Sequence, residues 1–158
     1  MGGYAVQLMG ETDNIAEIMT IGYEGRSIDE FLDTLETAGV ERLIDVRELP
    51  LSRKPGFSKT ALSEALAGRG IQYLHCRSLG NPKENRDLYR SGEVSEGARI
   101  YRRHLKNGSY EDFLDMARDL DKGRTCLLCF ERDHSICHRD VIVEELESRS
   151  SALQVRHL

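Results

Sequence analysis

Tryptophan is absent from this chain of 158 residues, prolines number three, and aromatic residues make up 6%. So few rings leave little platform for stacking exposed nucleobases. No run approaches the roughly 20 apolar residues of a membrane span, and no basic stretch followed by an apolar one opens the chain. Membrane association and secretion are therefore not expected, and a cytoplasmic location is. Four cysteines are few for a disulfide scaffold and fit a reduced compartment in which thiols are used singly. The net charge of -5 argues against a protein that coats nucleic acid through its overall field. Two phosphate-binding signatures, G-x-x-x-x-G-K-[ST] and G-x-G-x-x-G, are missing, which disfavours a P-loop nucleotidase and a dinucleotide fold. Neither Cys129 nor Cys137 is followed six positions later by Arg, as a cysteine phosphatase loop would need.

What is present is a hydrophobic content of 39%, enough for one core and one domain over residues 18–158. Residues 1–17, with three glycines and no clear periodicity, read as an extension. Ile18 to Gly22 reads as a buried strand, and Ser27 with Glu30 three positions on marks a helix start. Ile28, Phe31, Leu32 and Leu35 then form one apolar face, which Gly39 ends. Strands are expected again at 42–47, 71–75, 125–130 and near the end, at 153–158. Helices are expected from Ser58 or Thr60, with Ala61, Leu62, Ala65 and Leu66 inward, from Val94 to Lys106, and after Ser109. Strand and helix thus alternate about five times. That order predicts an α/β protein with a mostly parallel sheet and helices on both faces, a three-layer arrangement, with an incomplete (β/α) barrel as the alternative.

The stretch from Thr125 to Leu146 carries the densest chemistry. A buried strand ends in Glu131, a loop leads to Cys137-His138-Arg139, and a helix begins there. In a parallel sheet the carboxyl ends of all strands share one rim, where such folds bind ligands. Tyr23, Glu24, Arg26, Asp45, Arg47, Ser52, Arg53, Asn81, Glu131, Cys137, His138 and Arg139 should all reach that rim. Guanidinium groups in such number suit an anion, because they fork phosphate or carboxylate in bidentate geometry. The bland reading is that they pair with the carboxylates as structural salt bridges. Cys137, at a helix start beside His138 and Arg139, meets the conditions for a thiolate nucleophile; its bland counterpart is an inert buried thiol. Glu131, leaving an apolar strand, is a second candidate as general acid or base. Cys126 and Cys129 should point to opposite faces of their strand, so they form neither a redox pair nor half a zinc site. A metal set of Cys129, His134, Cys137 and His138 fits no usual zinc spacing, and no cofactor is expected. Arg99, Arg102 and Arg103 along one helix read as a solvated face, or alternatively as a nucleic-acid footprint.

At these positions the sequence resembles the domain of unknown function 488 family of small prokaryotic proteins. The matching pieces are Thr20-Ile21-Gly22-Tyr23-Glu24-Gly25-Arg26-Ser27, Asp45-Val46-Arg47 with Pro50, Ser52, Arg53 and Phe57, Leu79-Gly80, and Cys129 with Glu131 leading to Cys137-His138-Arg139. The resemblance implies an α/β domain with these motifs at one end of the sheet, and it names no reaction. The functional expectation is an enzyme, a hydrolase or transferase, acting on a small anionic substrate, phosphorylated or nucleotide-like. Arg26, Arg47, Arg53 and Arg139 would hold the anion and Cys137 or Glu131 would react, oriented by His138 and Tyr23. The alternative is a nucleotide- or nucleic-acid-binding module without turnover. Oligomeric state is left open.

Overall fold

The structure is a computed structural model that describes residues 16–158. The expected extension falls, for residues 1–15, outside the described residues, and Glu17 already belongs to the first strand. Five strands, β1 (Glu17–Gly22), β2 (Arg42–Asp45), β3 (Gln72–His75), β4 (Thr125–Cys129) and β5 (Gln154–His157), form one sheet in the order β3-β2-β4-β1-β5. Every pairing is parallel. Six helices connect them: α1 (Ile28–Thr37), α2 (Lys59–Ala67), α3 (Lys83–Arg90), α4 (Val94–Gly108), α5 (Tyr110–Arg118) and α6 (Arg139–Arg149). None among the described residues is long and apolar enough to cross a membrane.

Alternation along the strands builds two cores. Met19, Ile21, Leu43, Cys126 and Leu128 face one side, against Phe31, Leu35, Leu62 and Leu66 of α1 and α2. Ile18, Ile44, Leu127 and Cys129 face the other, against Tyr101, Leu105, Phe113, Val141 and Ile142 of α4, α5 and α6. Cys126 and Cys129 therefore lie on opposite faces, as their spacing requires. Connections moving toward β3 cover one face and those returning cover the other, as a single crossover hand demands. The three-layer α/β architecture follows.

Local expectations hold where a residue's own chemistry decides them. Ser27 Oγ accepts the Glu30 backbone N–H at 3.1 Å, and Gly39 ends α1 at φ 75°. They fail where tertiary contacts intervene. Ser58 begins α2 but spends its hydroxyl on Ser52, and Ala61, expected inward, is exposed. Helix α3 was not expected at all. Its only buried side chains are Asn85 and Tyr89, so it shows no apolar stripe. The signals it does carry are Pro82 just before it, Glu84 in its first turn and Arg90 in its last.

Gly22 lets the ends of β1 and β4 approach. A Cβ there would run into the Glu131 carbonyl, and Tyr23 and Glu24 donate to the Cys129 and Phe130 carbonyls at 3.3 and 2.9 Å. Gly22→Ala should therefore destabilise by at least about 1–3 kcal/mol in urea unfolding. Gly108→Ala, where a Cβ meets nothing within 4 Å, serves as a control and should be neutral or slightly stabilising.

Candidate active site

Chain direction reverses across the middle of the sheet. The segments after β1 and β2 leave for one face and the segment after β4 leaves for the other, opening a crevice at their carboxyl ends. A cavity of about 330 Å³ occupies it, within the range of small-ligand sites. Its wall includes Tyr23 after β1, Arg47 after β2, Asn81 after β3, and Cys129, Glu131 and His138 from the β4–α6 region. Helix α3 adds Arg86 and Arg90, and Leu49, Leu51 and Phe130 form an apolar lip, with Leu51 70% exposed.

Asp45 is fully buried and satisfied by four donors: the Arg47 N–H, Nε and Nη2 at 3.1, 2.8 and 2.7 Å, and Tyr73 Oη at 2.6 Å. Burial pulls the Arg47 guanidinium down, and Asp45 more than offsets it, leaving it raised. Arg47 also donates to the Phe57 carbonyl at 2.8 Å, pinning the loop after β2. The pair thus spends its charges on itself, and Arg47 presents little free guanidinium to a ligand.

Other expected anion ligands are likewise engaged or remote. Arg26 closes its own turn on the Gly22 carbonyl at 3.0 Å and reaches Thr34 at 3.3 Å, its pKa lowered by burial and by Arg132. Glu24 is exposed and accepts the Arg132 N–H, Ser52 ties its own loop to Ser58 and Lys54, and Arg53 faces solvent. Arg139 is 1% exposed, bonding Cys129 Sγ at 2.9 Å, the Glu131 carbonyl at 2.6 Å and the Arg132 carbonyl at 3.2 Å. It makes no salt bridge among the described residues, and its Nε is buried without a partner. On α4, Arg99 pairs with Glu96 and Arg102 with Glu144, which favours the solvated-face reading.

The sulfurs of Cys129 and Cys137 lie in contact, with their Cα atoms 7.7 Å apart. The sequence reading takes the cysteines as single thiols and Cys137 as a candidate nucleophile at a helix start; the structure sets its sulfur beside that of Cys129. The cavity reaches Cys129 and not Cys137. Beside them His138 donates Nε2–H to the Val46 carbonyl at 2.8 Å, and burial lowers its pKa to about 4. A neutral ring with its proton on Nε2 leaves Nδ1 a bare lone pair, 3.7 Å from Cys137 Sγ. Burial pushes the Glu131 carboxyl above the usual range, against its own backbone N–H, Arg139 and Arg90; its Oε2 lies 4.0 Å from Cys129 Sγ.

Two groups place metal-ligating atoms within 4.8 Å of one another: Cys129, Cys137 and His138, and separately His134, Asp140 and His157. The four-residue set that the sequence reading sets aside is split, because His134 turns to Asp140 at 2.7 Å and stacks on His157. Those parallel rings cannot aim their in-plane lone pairs at one ion.

Fold and site together define an open, all-parallel α/β protein with a buried carboxyl, a sulfur pair and guanidinium groups at its switch-point crevice. A family model described as Domain of unknown function DUF488 matches residues 27–146, and the chain belongs to that family. No curated protein and no solved structure matches it. The site residues that sequence reasoning missed, Arg86 and Arg90, sit on the helix it missed, where Pro82 was the available signal.

Removing one partner of a buried ion pair leaves the other uncompensated, so Asp45→Asn should cost about 3–5 kcal/mol in urea unfolding. His138 gives a pH signature. Its folded pKa lies below its unfolded value of 6.5, so its contribution is complete above that value and is lost as pH falls toward about 4. Stability should drop across that window by at most about 3 kcal/mol. His138→Gln should flatten the drop between pH 7 and pH 4.5; an unchanged slope would assign the protonation elsewhere.

Proposed function

We propose that this protein is an enzyme acting on a small anionic substrate, phosphorylated or nucleotide-like, bound in the switch-point cavity. Arg86 and Arg90 hold the anion, and Glu131 serves as general acid for a transfer or hydrolysis. The observation that carries this reading is the charge balance of the cavity wall. Arg47, Arg86 and Arg90 face Glu48, while burial favours the neutral form of Glu131. With Asp45 counted against Arg47, the wall is net positive as long as Glu131 keeps its proton.

Arg86 is partly committed, donating to Glu48 at 3.0 Å and to the Asn81 carbonyl at 2.8 Å, which fixes its fork at the cavity edge. Among the described residues Arg90 pairs with Asp87 alone, at 3.7 Å on the surface, which leaves it free to swing onto a ligand. The lip of Leu49, Leu51 and Phe130 offers an apolar seat for the rest of the substrate, such as a base or sugar face. Of the two reactive groups weighed from sequence, the reading takes Glu131, because Cys137 lies behind Cys129. Arg26, Arg53 and Arg139 drop out as anion ligands. A cytoplasmic setting belongs to the same proposal.

Thermal unfolding with inorganic phosphate, ribose 5-phosphate and AMP tests the reading. At a hundredfold excess over Kd, binding should add about 2.7 kcal/mol, roughly 5–10 °C in Tm. Arg86→Ala with Arg90→Ala should abolish most of that shift, and no shift with any of the three probes would remove the proposal. Ionising Glu131 adds a negative charge beside the anion, so affinity should fall as pH rises through its raised pKa. Glu131→Gln should erase that dependence.

A further inference from the structure

The chemistry proposed above uses Glu131 and two arginines and leaves the sulfur pair unemployed. We propose that Cys129 and Cys137 form a redox-active dithiol that catalyses exchange with a small disulfide in the cavity, Cys129 attacking as thiolate and Cys137 resolving. This proposal shares the cavity and Glu131 with the reading above, but its sulfur chemistry rests on Cys129, Cys137 and Arg139, so the two can fail separately.

Three placements carry it. Arg139 is a buried guanidinium whose Nη1 donates to Cys129 Sγ at 2.9 Å and which has no salt bridge among the described residues. Glu131, Asp140 and Asp133 act on it from beyond salt-bridge distance, and a buried cation with no close counter-charge is poorly compensated. A disulfide sulfur supplies no charge, whereas a Cys129 thiolate supplies one at hydrogen-bond distance. The reduced protein is thus the state in which this charge is balanced, with the thiolate on Cys129. Next, Cys129 lines the cavity and Cys137 lies behind it, the order an attacking and a resolving sulfur need. Finally, His138 Nδ1 presents a lone pair 3.7 Å from Cys137 Sγ, because Val46 holds the ring proton on the opposite nitrogen.

The Cys129 thiolate attacks one sulfur of R–S–S–R′, forming a mixed disulfide and breaking the substrate S–S bond. The departing R′S⁻ takes a proton from Glu131, whose Oε2 lies 4.0 Å from Cys129 Sγ. As Cys137 attacks Cys129 Sγ, its proton passes by way of His138 Nδ1 to the departing RS⁻, and a bond forms between the two sulfurs that the structure sets in contact. Two electrons have passed from protein to substrate. Two molecules of a low-molecular-weight thiol restore the dithiol and leave as their own disulfide.

The test uses reduced full-length protein and oxidised glutathione, followed by intact mass and peptide mapping. A Cys76→Ser background removes the half-buried free thiol; Cys126 is fully buried and its thiol is pushed far up by burial. Cys137→Ser should accumulate glutathione on Cys129, the parent should pass on to the internal disulfide, and Cys129→Ser should do neither. His138→Gln should slow only the second step. Cys129 alkylation in the Cys137→Ser protein should be half-maximal well below the ordinary thiol value of about 8.5. Arg139→Met should slow it at pH 7 by about tenfold or more, while Arg139→Lys keeps most of the rate. If Arg139→Met does not fold, the alkylation profile with Arg139 intact decides alone. No adduct on Cys129, or a Cys129 titrating at or above 8.5, overturns the proposal. So does one equivalent of zinc bound by the reduced protein that blocks adduct formation until chelated, which would make the cluster a metal centre.

Discussion

A guanidinium taken almost entirely out of water is the constraint on which the working end of this protein depends. Arg139 has to find acceptors in the interior, and it finds the Glu131 and Arg132 carbonyls and the sulfur of Cys129. Those three contacts draw the loop after β4 over the start of α6. They fix where Glu131 leaves the strand and which way Cys129 faces. Desolvation of the cation is severe enough that the loop cannot relax without exposing it or losing its acceptors. The geometry of the cavity floor follows from that one burial.

A second buried guanidinium does the same for the opposite wall. Arg47 is forked by Asp45 and reaches the Phe57 carbonyl, so the loop after β2 is tied to the strand it leaves. Tyr23 stacks on Phe57 at 4.5 Å and lies beneath Arg47, joining the β1 loop to this wall. Between the two clamps lies a crevice that the sheet order creates and that no side chain among the described residues fills. Guanidinium groups at the rim, Arg47 and Arg139, hold the walls through protein acceptors. The groups that face the crevice are a buried carboxyl, a sulfur and two arginines of α3, of which Arg86 is held by Glu48 and the Asn81 carbonyl.

Much of the fold was legible because its signals are local. Strands β1, β2 and β4 are short apolar runs, Ser27 is a helix cap whose partner lies three residues away, and Gly39 is a stop needing positive φ. Cys126 and Cys129 were assignable to opposite faces from the two-residue period of a strand. Helix α3 was not legible, since it buries an asparagine and a tyrosine through bonds to Asn81 and Gly97 and packing against Gly97, all set by tertiary contact. The rim residues were legible as a set, because a parallel sheet places all carboxyl ends together. Their division into clamps and free groups was not, because a charge's role depends on the partners it meets.

The sequence by itself determined the class of fold, the end of the sheet where chemistry collects, and the presence there of sulfur, imidazole, carboxyl and guanidinium. Each of these rests on periodicity or on residue type, which are properties of the chain read in order. Only the tertiary structure decided that Cys137 meets Cys129, that Asp45 consumes Arg47, and that His134 turns away to Asp140. Those are choices between competing partners, made by distance and burial, and both exist only once the loops have been brought to the same rim.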